Sequence, residues 1–234
     1  MLLFHRKSYV HFDDPLTLIP RALTRLYSLW VSWTYPFASK GRKLSIHYTC
    51  ELHRHMAHRI QLGNSVEIAK DVWFHVEAPL QGKGSPAIII DDNCLIARRT
   101  QISAKNYVHL ERNVILSPSV LIVDSSHAYS DTERPIRDQG VTEGGRIQIG
   151  EGCWIGHGAA IVGTRGELVL GRNCVVAANS VVTRSFPAFS VISGNPARLV
   201  KQFDPVKGSW IMGSVTAAAH RTEQDSVPRQ ASTS

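Results

Sequence analysis

Apolar residues recur at every sixth position from about residue 60 to 187. Read in steps of six they are Leu62, Ile68, Phe74; Ile90, Ile96, Ile102; Leu110, Leu116, Ile122; Ile149, Ile155, Ile161; and Leu170, Val176, Val182. Four places after each stands a small residue (Val, Ala, Ser, Thr or Cys), except at Asn106, Arg165 and Phe186, each of which closes a triplet. A period of six is neither the 2 of a simple strand nor the 3.6 of a helix. Val and Ile dominate the beat, while Gly, Asn and Asp recur between its members. Each hexad can therefore supply one short strand and one corner, and three corners close a triangular coil. The next coil stacks about 4.8 Å above it by parallel pairing. The aliphatic residues point into the prism, and the small ones fit its crowded corners. One coil cannot bury its own apolar face, so stacking drives the fold. The pattern predicts an all-β protein: a single-stranded parallel β-helix, a triangular prism of about five coils.

The beat breaks in four places: at residues 79–86, by two extra residues between Ile102 and Leu110, at 127–145, and at 164–167. Long loops on rigid scaffolds are where function concentrates. One helix is expected over 15–39. Pro15 or Pro20 opens it, Leu23, Leu26, Tyr27 and Trp30 follow at helical spacing, and Pro36 and Gly41 end it. Two readings fit this helix. It is either a cap packed on the prism, or an interfacial helix whose Trp30, Trp33 and Tyr35, with Arg21, Arg25, Lys40, Arg42 and Lys43, suit a lipid headgroup boundary. The expected organisation is an N-terminal flank with one amphipathic helix (1–59), the repeat domain (60–202) and a mostly disordered tail (203–234). That tail is rich in Ser, Gln and Thr.

Composition narrows the partners. Hydrophobic residues make up 43% of the 234, ordinary for a globular chain. A net charge of +7 favours an anionic partner without choosing among nucleic acid, a phosphorylated cofactor and a membrane surface. No stacking or groove-reading motif supports nucleic acid. Cys94, Cys153 and Cys174 fall on the small position of a hexad and read as interior fillers; Cys50 stands apart. With no CxxC spacing, disulfides and a zinc ribbon are not expected. Without a signal-peptide pattern or a spanning run, the expectation is a cytoplasmic protein, peripheral at a membrane if the interfacial reading of the helix holds.

Four ordered motifs carry a resemblance to a known family. The segment 149–158, IGEGCWIGHG, resembles the IGxxxWIGxx core of hexapeptide-repeat acyltransferases. The segment 177–184, AANSVVTR, is similar to their GAxSVVTK stretch, and 193–198, SGNPAR, to their xGNPAR ending. Asp124-Ser-Ser-His127, followed by Pro135-Ile136 and Gln139-Gly140, resembles the DHxH…PI…QG loop of the polysaccharide and lipopolysaccharide O-acetyltransferase branch. The resemblance covers about residues 60–202. It implies a left-handed coil, which the spacing does not show and which is the exception among crossovers. It also implies a homotrimer with active sites between neighbouring prisms, and acetyl-CoA or a related acyl-CoA as donor.

Transfer from a thioester to a hydroxyl needs a base for the hydroxyl proton and donors for the oxyanion that forms. By the resemblance, His127 is that base, opening the largest loop directly after a triplet. Asp124 would orient the loop or the imidazole. Ser125 stands where relatives often carry a first histidine, a departure that bears on the acceptor. Trp154 matches the family's tryptophan beside the pantetheine and acceptor. His157 sits where relatives offer a backbone N–H near the thioester, and Ala178 where a small residue lets the cofactor approach. Thr183, Arg184, Arg198 and Lys201 match positions that contact coenzyme A in galactoside and maltose acetyltransferases; cations suit its phosphates. For each cation the plain alternative is a solvated surface charge.

His53, His55 and His58 cluster ahead of the repeat, but metal sites need defined geometry and more than one segment, so no metal is expected. A zinc lyase on this scaffold would need three metal-bound histidines, and no second histidine follows His127 closely. A non-catalytic trimeric scaffold would keep the hexads without His127 or the cofactor motifs. The expected activity is O-acetylation of a capsular, O-antigen or lipopolysaccharide sugar, with a small soluble glycoside or amino sugar as the alternative acceptor.

Overall fold

The computed structural model describes residues 15–77 and 85–212. Most of the 79–86 excursion and the tail beyond 212 lie outside the described residues. The chain winds as a left-handed parallel β-helix with three faces. One full turn shows the plan: Arg146–Ile149 lies on face A, Trp154–Ile155 on face B and Ala160–Val162 on face C. Each strand pairs in parallel with its counterparts one coil below and one coil above: Ile155 faces Leu116 and Val176, and Ile161 faces Ile122 and Val182.

All fifteen hexad residues are buried, stacked in ladders along the inside. The small residues that follow them fill the corners: Val66, Val72, Cys94, Thr100, Val114, Val120, Cys153, Ala159, Cys174 and Ser180 are buried as well. Asn106, Ser126 and Arg165, which close their triplets, are exposed at the corner between faces C and A. Polar residues between the beats serve the corners. Asn93 and Arg99, Asn113 and Ser119, and Asn173 and Asn179 adopt left-handed backbone, six residues apart within each pair. Asn is among the few residues that tolerate this conformation.

The prism starts at Ser39, one coil earlier than the boundary at residue 60. Ser39–Lys40 pairs with Gln61–Leu62, Ser45–Ile46 with Glu67–Ile68, and Glu51 bridges to Trp73. The beat of this coil would fall on 40, 46 and 52, where Lys40 breaks the apolar pattern and a 3-10 turn, Arg54–Arg59, precedes the next strand. Cys50 does not stand apart: it is the buried corner residue of this coil, and its Sγ donates to the Ala69 carbonyl at 3.0 Å.

Helix α1, Pro15–Thr34, stops five residues short of the expected end. Pro36 pushes its predecessor into extended backbone, and Ser39 is already in the sheet. Helix α1 packs on the first coil through Ser28 and Val31, both buried. The Ser28 hydroxyl accepts from the Ile46 N–H at 2.8 Å and donates to the Thr24 carbonyl at 2.7 Å.

At the other end the order extends further than expected. Ala197–Asp204 turns back antiparallel on Ser190–Gly194, and Ser209–Met212 adds a further antiparallel strand. The expectation of a disordered tail from 203 is therefore corrected up to Met212. Phe203 packs edge-on against Trp210, with ring centroids 5.6 Å apart, and Asp204 Oδ1 closes the turn by accepting from the Val206 and Lys207 N–H groups.

Candidate active site

The largest described loop leaves the prism at the edge between faces C and A, after Leu121–Val123. Its neck is a short antiparallel ladder. Thr142 N–H donates to the Ser126 carbonyl at 2.7 Å, Ala128 N–H donates to the Gly140 carbonyl at 3.0 Å, and His127 pairs with Val141 between them. His127 is thus held by backbone on both sides while its side chain is exposed. Among the described residues nothing hydrogen-bonds its imidazole.

The rest of the loop is braced internally. Gln139 Nε2 donates to the Asp131 and Arg134 carbonyls, both at 2.8 Å, and its Oε1 accepts from the Asp131 N–H at 3.0 Å. Lys105 Nζ donates to the Thr142 carbonyl at 2.6 Å and Asn106 Nδ2 to the Glu143 carbonyl at 2.7 Å, pinning the loop to the coil below. A Cβ on Gly145 would come within 2.2 Å of the Gly163 carbonyl oxygen, so only glycine lets the chain rejoin the prism here.

Asp124 is fully buried and does not reach toward the imidazole. Its carboxylate accepts from the backbone N–H groups of Lys105, Asn106 and Tyr107 at 2.7, 2.7 and 2.9 Å. Its carbonyl accepts from Gly145 N–H at 2.7 Å, which closes the loop's exit. Arg59, also buried, donates to the carbonyls of Glu77, Ser85 and Lys105. Burial pushes the guanidinium pKa down, and the Asp124 charge opposes that shift. Through these backbone contacts Arg59 and Asp124 brace the corner beneath the loop. Arg59 went unnoticed in the sequence because it precedes the first clear hexad and belongs to no motif.

The remaining site residues do not gather around His127. Trp154 projects from face B, half exposed, between Ile115 and Val175, and its Nε1 donates to Ser117 Oγ at 2.9 Å. His157 and Ala178 are exposed one above the other at the edge between faces B and C, where a Cβ on Gly156 would strike the Ala178 nitrogen at 2.7 Å. Arg198 pairs with Ser193 and Lys201 with Val191 on the antiparallel extension of face B. Arg198 Nη1 donates to the Ala197 carbonyl at 3.0 Å. Thr183 and Arg184 follow Val181–Val182 and so share the C–A edge with His127, two coils above it. Arg184 lies over the Phe186 ring at 5.1 Å. Among the described residues none of Arg184, Arg198 and Lys201 pairs with a carboxylate. One chain thus divides the expected site between two edges of its prism.

Several other described histidines have local partners. His109 Nε2 lies 3.0 Å from Asp91 Oδ2 and His75 stacks on Trp73 at 5.3 Å. His53 stacks on His55, and among the described residues no group of three or more His, Cys, Asp or Glu could hold a metal ion.

No family model matches the chain. Individual proteins do. An Escherichia coli protein, WbbJ, whose name proposes lipopolysaccharide biosynthesis O-acetyl transfer, is 26% identical over 158 residues, 64% of this chain and 79% of its own. A Saccharomyces cerevisiae protein whose name proposes an acetyltransferase is 33% identical over 129 residues, 55% of this chain and 63% of its own. Over its repeat region the chain is similar to proteins named as acetyltransferases. A Mycobacterium tuberculosis protein named a probable acetyltransferase matches at 27% over 161 residues, and there the match spans only 48% of the relative. Among solved structures of the same fold, a variant of the N-acyltransferase AntD from Bacillus cereus, in complex with dTDP and coenzyme A, superposes with a TM-score of 0.61. It is 17% identical, and the match covers 76% of this chain and 90% of that one. AntD with dTDP and 3-hydroxybutyryl-CoA gives 0.59 at 20% identity.

Proposed function

We propose that this acyltransferase moves an acetyl group from acetyl-CoA to a hydroxyl of a sugar, with His127 as general base. The observation that carries the reading is His127 itself. It is a solvent-facing imidazole held by backbone on both sides, with no hydrogen-bond partner among the described residues, at the mouth of the largest described loop. Its ring nitrogen takes the hydroxyl proton as the oxygen attacks the thioester carbonyl. The new C–O bond forms, the C–S bond breaks, and coenzyme A leaves as thiol with the proton returned from the imidazolium. The oxyanion that develops is received by the backbone N–H at the His157 corner. Trp154 offers a flat apolar wall for the pantetheine or the acceptor. Ala178 keeps the corner low, and Thr183, Arg184, Arg198 and Lys201 hold the phosphates of the donor.

The division of these residues between the C–A edge and the B–C edge supports a homotrimer in which each site joins one edge of each of two copies. A hydroxyl acceptor is favoured by the kinship with WbbJ, and a capsular, O-antigen or lipopolysaccharide sugar by the same kinship. AntD's description as an N-acyltransferase makes an amino sugar the second reading. Acceptor screening by mass spectrometry, following the gain of one acetyl group, tests both, because an ester product is lost in mild alkali and an amide is not. His127→Ala is expected to lower acetyl transfer by about 10²-fold or more with the oligomeric mass unchanged. Unchanged turnover in that variant removes His127 from the chemistry.

A further inference from the structure

Helix α1 is amphipathic in the wrong sense for a helix that merely caps a prism. At about 100° per residue, the side facing the first coil carries Thr24, Tyr27, Ser28 and Val31, of which only Ser28 and Val31 are buried. The opposite side is wholly apolar: from Leu18 and Leu29, through Trp33 and Leu26, to Trp30 and Leu23, no polar residue interrupts an arc of about 140°. All six are exposed, Trp33 at 86%. A soluble helix turns this arc inward.

Within residues 15–50 the charge is of one sign. Between Pro15 and Cys50 the sequence has no Asp or Glu and five Lys or Arg: Arg21, Arg25, Lys40, Arg42 and Lys43. Arg21 and Arg25 border the apolar arc on the helix. Arg42 and Lys43 lie across a cleft of about 860 Å³ between α1 and the first coil, whose walls include both helical arginines and His47. Lys40 Nζ donates to the Ser32 carbonyl at the helix's last turn. At that same end Trp30 packs edge-on against Tyr35, with centroids 5.7 Å apart. Aromatic rings with one polar atom, an apolar arc and a cationic border are what a lipid–water boundary selects. Among the described residues no helix is long and apolar enough to cross a membrane, so α1 would lie on the surface and not span it.

We infer that α1 and the first coil form a docking surface for an anionic lipid bilayer, with the Leu18–Trp33 arc entering the headgroup boundary and the basic cleft taking lipid phosphates. This does not rest on the acyltransfer reading. The test is flotation of the full chain with vesicles of phosphatidylcholine alone and with about 30 mol% phosphatidylglycerol. Binding to the anionic vesicles is expected, weakening as salt rises, with a blue shift of tryptophan emission. Arg42→Glu with Lys43→Glu should lower that binding on the order of tenfold or more. Leu26→Glu with Trp33→Glu should abolish it, with circular dichroism and sedimentation unchanged. Three results overturn the inference: no binding to anionic vesicles at low salt, equal binding to neutral ones, or a loss of oligomeric mass in the Leu26/Trp33 variant. The last would mean that a second copy of the chain covers the arc.

Discussion

Single residues in this protein carry roles that their neighbourhood in sequence does not announce. Asp124 sits three residues from His127 in a catalytic-looking motif, yet its carboxylate is spent on three backbone N–H groups of the coil below. Its buried cationic neighbour, Arg59, comes from a segment with no recognisable pattern. Asp124→Ala would strand those N–H groups, at a cost of about 1–3 kcal/mol for each one left unpaired. A urea unfolding curve should show this as a lower midpoint, with Asp124→Asn falling between. A loss below about 1 kcal/mol would mean that water replaces the carboxylate. The hexad residues are the opposite case. Their burial was readable from spacing alone, because an inward position on a closed prism accepts nothing but an apolar side chain.

At the scale of elements, the prism was legible and its ends were not. Repetition makes the middle coils visible, since each repeats the one before it. The first coil hides because Lys40 occupies the place of its leading aliphatic residue. The last strands hide because they turn antiparallel and leave the six-residue period. The loop was visible as an interruption, but its internal brace was not: Gln139 was one letter of a motif, with no spacing rule to say that it bonds Asp131 and Arg134. Gln139→Ala removes three hydrogen bonds from a segment outside the core. Hydrogen exchange over 131–139 should then speed up by at least about tenfold, one bond alone being worth about 1 kcal/mol. The thermal midpoint of the prism should hold, and kcat should fall if loop order positions the acceptor. Unaltered exchange would show that the ladder at the neck suffices to order the loop.

On the scale of the whole molecule, the prism's geometry decides how a site can be assembled. A triangular coil sends its three corners in three directions, so residues on the C–A edge and the B–C edge of one chain face apart. In the proposed assembly His127 and Ala178 meet only across two copies, and that arrangement can be tested with inactive subunits. His127→Ala removes the proposed base from one edge; Ala178→Trp blocks the proposed approach of the donor at the other. Each variant alone should be inactive. If each site joins the C–A edge of one copy to the B–C edge of the next, random mixing leaves about a quarter of the interfaces with both edges intact. Co-refolding the two variants should then restore about a quarter of the acetyl transfer. If both edges of a site came from one chain, no mixture could recover any, and the mixed sample would stay as inactive as its parents. The outcome separates a site built between prisms from one folded within a single chain, whatever the acceptor proves to be.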